Sequence, residues 1–272
     1  MGVNIKKKGD RSYEFMQTAL IQKIIEDLCL VPRTAPKPIP MCAQRPLHHH
    51  IDFPLHDESK FQYRSVIGKL NYLAQFIRTD IVYAVHQCAR FSSNPRKDHT
   101  DSVEYIARYL QGDLYLRLSF KPDISKSFEC FVDADYCGNW SSLFAETDPS
   151  TAKSCSGWII SYAGCLIIWA SKLQTHVATS TTMADYIALS SALHDVLPIM
   201  ELMDELKDRG YDFTSPEPIV YCKAFEYNSG TLEIVCLPKM RPRTKAINVI
   251  YYHFQEYVRL GMINIYLIST HD

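Results

Sequence analysis

Three groups of side chains carry chemistry at spacings that matter. The first is a set of acids. The apolar and β-branched run Phe128 to Val132 ends in Asp133, and strand alternation puts Asp135 on the same face two residues on. Asp185 follows in Ser180-Thr181-Thr182-Met183-Ala184-Asp185-Tyr186, in the expected first turn of a helix, where the dipole favours any acid. Such acids either converge on a hard divalent cation or mark the wet end of a strand and an ordinary helix start. The second group is basic. Between Lys239 and Arg259 the side chains of Lys239, Arg241, Arg243, Lys245 and Arg259 face Glu256 as the only acid. Such a cluster lies along a phosphate backbone or forms a solvated loop, and four phosphate contacts would make log K fall with log salt at a slope of about -3 to -4. Lys172, at a strand end, is a further candidate phosphate contact, whereas its neighbour Trp169 reads as core. The third group, His48-His49-His50, sits between residues 31 and 60 among six prolines, and without a nearby carboxylate cluster it reads as an exposed loop.

The elements that must position these groups follow from periodicity. A short strand around Val3 to Ile5 and a charged turn at Lys8-Gly9-Asp10 precede a helix bearing Leu20, Ile24, Ile25 and Leu28. Tyr63 to Leu118 is helical in pattern, broken at Asn94-Pro95. Phe128 to Val132, Gly157 to Tyr162 and Cys165 to Trp169 are strands, with Ala163-Gly164 able to turn between the last two. A helix from Thr181 to about Lys207 is expected to kink or restart at Pro198, because proline removes a helical hydrogen bond and clashes with the previous turn. Ile219 to Cys222 reads as a strand, Ile247 to Leu260 as a helix stopped by Gly261, and Ile263 to Ile268 as a final strand. This order predicts a mixed α/β sheet covered by helices.

Composition bounds the rest. The chain has 272 residues, 47% hydrophobic and 22% charged, enough for one or two ordinary cores. No stretch approaches the roughly 18 uncharged apolar residues of a membrane helix, and Met1 to Lys8 lacks a signal-peptide core, so no membrane association and an intracellular location, cytoplasmic or nuclear, are expected. The formal charge of -1 excludes the strongly basic balance of a tight nucleic-acid binder and leaves only a local patch. Nine cysteines without a C-x-x-C pair support neither a disulfide framework nor a zinc site.

Several long motifs, in order, resemble the Pol polyprotein of Ty1/copia-type retrotransposons. Gln17, Leu20, Ile21 and Ile24 resemble the end of its reverse transcriptase. Tyr63-Arg64-Ser65-Val66-Ile67-Gly68-Lys69-Leu70-Asn71-Tyr72-Leu73 and Arg78-Thr79-Asp80-Ile81 resemble its connection segment, which usually has proline where Thr79 stands. Phe131-Val132-Asp133-Ala134-Asp135-Tyr136, Trp169-Ala170-Ser171-Lys172-Leu173-Gln174 and the Ser180 to Tyr186 run resemble its ribonuclease H domain. The resemblance implies a reverse transcriptase tail over 1–30, a Pro-rich linker over 31–60, a helical connection segment over 61–120 and a ribonuclease H-like domain over 127–272. No Y-x-D-D sequence occurs, so the polymerase aspartates are expected upstream and the chain is expected to be a remnant of the polyprotein.

The family cleaves the RNA strand of an RNA/DNA hybrid with two Mg²⁺ (or Mn²⁺), roughly 3.5–4 Å apart and held by converging carboxylates. The resemblance makes Asp133 and Asp185 the catalytic, metal-binding residues, Asp185 replacing a glutamate one methylene longer. Tyr227 stands where a catalytic aspartate is expected, and a phenol is neutral at pH 7. Glu226 beside it is expected to point the other way, so that rescue would need a one-residue slip. Asn248 stands where many members have aspartate, and Ala246 where they have histidine. Met183 replaces another family glutamate, so no reciprocal capping box with Ser180 is available. Lys172, Lys239, Arg241, Arg243 and Lys245 become the expected nucleic-acid contacts. The expected function is therefore a degenerate ribonuclease H-like domain, inactive or impaired. A weakly active hybrid ribonuclease using Asp133, Asp185 and Glu226, and a non-catalytic nucleic-acid or protein binding module, are the alternatives. Oligomeric state is not legible.

Overall fold

In the computed structural model the described residues are 2–31, 36–41, 47–49, 52–123, 125–211, 221–236 and 252–268. They form two compact units that interleave in sequence: residues 1–120 with 139–149, and residues 121–138 with 150–272.

In the first unit, β1 (Asn4–Lys7), β2 (Tyr13–Met16) and β3 (Leu118–Phe120) make an antiparallel sheet in that order. Helices α1 (Thr18–Asp27), α2 (Tyr63–Phe76), α3 (Val82–Ala89) and α4 (Lys97–Gly112) form the rest. Apolar spacing explains the helices: Leu20, Ile21 and Ile24 are buried along α1, and Val66, Ile67, Leu70 and Leu73 along α2. The break at Asn94-Pro95 falls between α3 and α4 as expected. Leu118 does not continue the helical pattern; it lies in β3, where Tyr13 pairs with Phe120 across more than a hundred residues of chain. No local pattern could have announced that pairing.

Two side chains are pinned deep in this unit. Arg78 is fully buried, and its guanidinium holds both carboxylate oxygens of Asp80 and donates to the Asp113 carbonyl at 2.8 Å. The expected exposed loop at His48 is corrected. His48 is 5% exposed and its ring stacks on Phe144 at 4.8 Å. His99 Nδ1 accepts from the Arg96 N–H, which makes Nε2 the donor toward the His48 carbonyl at 2.9 Å.

The second unit is built on β4 (Phe128–Asp135), β5 (Cys155–Tyr162), β6 (Cys165–Leu173), β7 (Cys222–Glu226) and β8 (Ile263–Leu267), in sheet order β6-β5-β4-β7-β8. The first three run antiparallel, while β4, β7 and β8 are parallel. With its helices this is the mixed α/β sheet that the order of elements predicts. Ala163 and Gly164 both have positive φ, 51° and 70°, the two-residue turn whose twist suits a hairpin. The strand expected to end at Cys222 instead begins there, because pairing with β8 continues as far as Glu226 opposite Leu267.

Helix α5 (Thr181–Asp208) covers one face of the sheet. Ser180 accepts the Met183 N–H at 3.1 Å, a one-way cap where a reciprocal box was excluded. Of the kink or restart expected at Pro198, the restart is corrected: α5 runs through it unbroken. One helical hydrogen bond is forfeited there, and Leu193, Val196, Leu197 and Met200 on either side are all buried against the sheet. Helix α6 (Ser229–Cys236) and the short α7 (Gln255–Arg259) are the other α-helices among the described residues of this unit, with Gly261 at φ 74° just after α7. The 247–251 part of the expected last helix lies outside the described residues. Among the described residues no helix is long and apolar enough to cross a membrane.

Candidate active site at the end of the central strand

Asp133 lies near the end of β4, opposite Gly157 of β5, with its side chain exposed. Asp135, two residues on, has its carboxyl pushed above the usual range by burial and by the charge of Asp133. The carboxylate of Asp135 occupies the space beside the Gly138 α-carbon that a β-carbon would need, so only glycine at 138 leaves it in place.

Asp185 is not in the first turn of α5, because the helix begins at Thr181 and its first turn holds no acid. The dipole therefore contributes little there. Tertiary contacts hold the carboxylate instead: it is 6% exposed and accepts from Asn228 Nδ2 at 2.9 Å. Burial raises its pKa and the Asp133 charge adds to that, while the Asn228 amide and the Ala134 backbone oppose the rise. Asn228 does double duty, since its Oδ1 also accepts the Gly230 N–H at 2.9 Å at the start of α6.

Glu226 and Tyr227 point to opposite sides at the end of β7, as strand alternation requires. Cys222, Ala224 and Glu226 take the core side of β7, so it is Glu226 that turns inward, with no slip of register, while Tyr227 is 53% exposed. Glu226 is fully buried; its Oε1 accepts the N–H groups of Tyr227 and Asn228 at 3.0 and 3.2 Å, and its Oε2 has no partner. Burial above all, then the charges of Asp185 and Asp133, push its pKa up to about 8 against those two hydrogen bonds. The acid on the core side is thus Glu226, and the residue at the expected aspartate position is an exposed phenol.

These side chains do not fit a two-metal centre. Two divalent ions need several anionic oxygens converging on one point, and among the described residues no three His, Cys, Asp or Glu side chains are placed to hold even one ion. Asp133 and Asp185 are close enough to feel each other's charge, and Glu226 joins them as a neutral acid.

Of the expected nucleic-acid contacts, Lys172 is described: it is exposed near the end of β6, its Nζ 4.9 Å from the centre of the Trp158 ring. Trp158 in turn donates from Nε1 to Asp195 at 3.0 Å, and both line a cavity of about 390 Å³ with Lys172, His194 and His253. Burial above all, then His194, lowers the His253 pKa. Trp169 is buried, as expected. Lys239, Arg241, Arg243, Lys245 and the degenerate position Asn248 lie outside the described residues. Sequence reasoning missed Asn228 and Gly138, though the Asn-Ser-Gly at 228–230 carried the signal of a helix cap.

No family model matches the chain. It is 31% identical over 211 residues to the retrovirus-related Pol polyprotein from transposon RE1 of Arabidopsis thaliana, covering 78% of this chain and 13% of that protein. It is also 31% identical over 214 residues to the corresponding polyprotein from transposon TNT 1-94 of Nicotiana tabacum, covering 79% of this chain and 15% of that one. Among solved structures, LC11-RNase H1 isolated from compost is similar at a TM-score of 0.34 and 13% identity, over 54% of this chain and 86% of that one. The chain spans 13–15% of the length of these curated relatives. Matches to such proteins over more than three quarters of its length show that the chain belongs to the family of retrovirus-related Pol polyproteins from copia-type transposons, corresponding to one segment of them.

Proposed function

We propose that the second unit is a ribonuclease H-like domain that engages RNA/DNA hybrids with cleavage lost or strongly impaired. The observation that carries this reading is the pair at 226 and 227: Glu226 is a buried acid on the core side of β7 with a pKa of about 8, away from the exposed Asp133, and the residue at the expected aspartate position is an exposed phenol. A neutral carboxyl contributes neither the charge nor the converging lone pairs that Mg²⁺ or Mn²⁺ needs. If an ion does bind, Asp133 and Asp185 are the residues that would hold it, and it would supply charge neutralisation at the cleaved phosphodiester. Lys172 would contact the phosphate backbone, together with Lys239, Arg241, Arg243 and Lys245. Residues 1–30 and 61–120 then correspond to the reverse transcriptase end and the connection, and an intracellular element product is the natural setting.

The deciding experiment incubates the purified chain with a labelled hybrid and Mg²⁺ or Mn²⁺, beside Asp133→Asn. Hybrid binding that weakens with salt, with no cleavage above the Asp133→Asn level, is expected. Lys172→Ala removes one cation from the phosphate backbone and should make the salt slope shallower by about 0.7 to 0.9. Metal-dependent cleavage that vanishes in Asp133→Asn would overturn the loss of activity and favour the second reading. That reading is a weak nuclease in which Glu226 loses its proton to join Asp133 and Asp185 against the charge of both aspartates; what supports it is that the three acids lie within reach of one another's charge. Affinity indifferent to salt would remove the hybrid from either account.

A further inference from the structure

We propose that Gln174 is a positioning residue for the candidate site, its side-chain amide setting Asp185 against the end of β4. The inference rests on the reading of Asp133 and Asp185 as that site. Strand β6 ends at Leu173, opposite Cys155, and the Gln174 N–H continues the ladder to the Ser154 carbonyl at 2.9 Å. From there the side chain turns into the protein and is 4% exposed. Its Nε2 donates to Ser156 Oγ at 2.9 Å and to the Ala184 carbonyl at 2.8 Å. A carbonyl only accepts, so the Ala184 contact fixes which end of the amide faces α5.

Both acceptors adjoin the acids. Ser156 lies opposite Ala134, the residue between Asp133 and Asp135, and the Ala184 carbonyl belongs to the peptide group that leads into Asp185. Ala184 also joins Ala178 and Ile187 in a small apolar cluster against which Ala134 packs. One amide therefore ties the end of β6, the start of β5 and the first turns of α5 together. Asn228 grips the Asp185 carboxylate from the β7 side at 2.9 Å. Asp185 is thus held from two flanks of the sheet, through its side chain by Asn228 and through its peptide by Gln174. Burying an amide is unfavourable unless its polar atoms are bonded, and Gln174 Oε1 is buried without a partner among the described residues. An apolar side chain would fill this space without that cost, but it could not tie α5 to β5.

The test is amide hydrogen exchange by NMR on the full chain, with neither hybrid nor metal present, so that its outcome is independent of whether the hybrid is bound or cleaved. In wild type the Gln174 Nε2 protons should exchange at least about tenfold more slowly than those of the exposed Gln75. Gln174→Met keeps the length of the side chain without its donors. In that variant the two groups that donate to Asp185, Asn228 Nδ2 and the Ala134 N–H, should exchange at least about fivefold faster. The Ala224 N–H, in the middle of β7, should keep its wild-type rate. A general loss of stability speeds all three together, whereas positioning moves only the two that hold Asp185. If Gln174→Met does not fold, Gln174→Asn, one methylene short of Ala184, is read in the same way. A folded variant in which Asn228 and Ala134 exchange as in wild type, or in which Ala224 accelerates equally, overturns the proposal. So do wild-type Gln174 protons that exchange as fast as those of Gln75.

Discussion

Asn228 holds Asp185: the amide Nδ2 donates to the carboxylate at 2.9 Å while the amide oxygen caps α6 through the Gly230 N–H. One side chain therefore ties the first helix of the candidate site to the end of β7. Asn228→Ala is expected to cost about 1–2 kcal/mol, the usual loss for a cap, read by urea denaturation. Asn228→Asp keeps the cap but sets a carboxylate against Asp185. It should destabilise further above pH 5 and recover in acid, whereas an Asp variant indistinguishable from wild type would mean that the Asp185 contact is incidental.

Glu226 gives a pH signature. Its pKa rises from 4.5 to about 8 on folding, so between those values the folded state binds a proton the unfolded chain has lost. Stability from this group is complete below pH 4.5 and declines as pH rises toward 8. Glu226→Gln preserves an acceptor for the Tyr227 and Asn228 N–H groups without the ionisation. The variant should therefore be more stable than wild type at pH 8, by about a few kcal/mol, with little difference at pH 4.5. Parallel pH profiles for the two proteins would show that Glu226 ionises freely in the fold.

If the carboxylate set has been lost by substitution, putting it back should matter. Tyr227→Asp combined with Asp185→Glu is expected to raise metal-dependent hybrid cleavage at least about tenfold over wild type, within the 10–100-fold reach of changes around a metal site. The assay is single-turnover cleavage in Mn²⁺. No gain in a folded double variant would mean that residue 227 is not where a missing ligand belongs.

In the first unit the buried Arg78 makes a separate prediction. Removing it strands Asp80, whose carboxylate also accepts from Tyr109 at 2.7 Å, so Arg78→Ala should cost about 3–5 kcal/mol. Burial alone would raise the Asp80 pKa, but the hydrogen bonds from Arg78 and Tyr109 outweigh it and hold the carboxyl below its usual 3.8. The stability it confers is present above that value and lost as pH falls through the lower folded value. Wild type should therefore lose stability in acid more steeply than Arg78→Ala, as measured by thermal melts from pH 5 to pH 2.

Much of the second unit could be read locally. The alternating run before Asp133, the Ala163-Gly164 turn and the Ser180 cap are short-range devices, and each does in the fold what its residues suggest. The failures share a different cause. Pro198 sits inside a helix whose Leu193, Leu197 and Met200 are buried against the sheet. Leu118 is drawn into a strand by Phe15, far back in the chain. The inward turn of Glu226 depends on how far β7 pairs with β8, and His48 is buried by Phe144. These outcomes rest on partners remote in sequence, which periodicity does not see.

The interleaving of the two units, with 121–138 given to one and 139–149 to the other, also constrains synthesis and dissection. Emerging from a ribosome, β4 appears before the first unit has received its last piece, and both of its sheet neighbours come later still. The central strand must wait unpaired while another structure finishes around the chain that follows it. Nor does any single cut release either unit whole: a fragment ending at 120 lacks 139–149, and one beginning at 150 lacks the strand that carries Asp133.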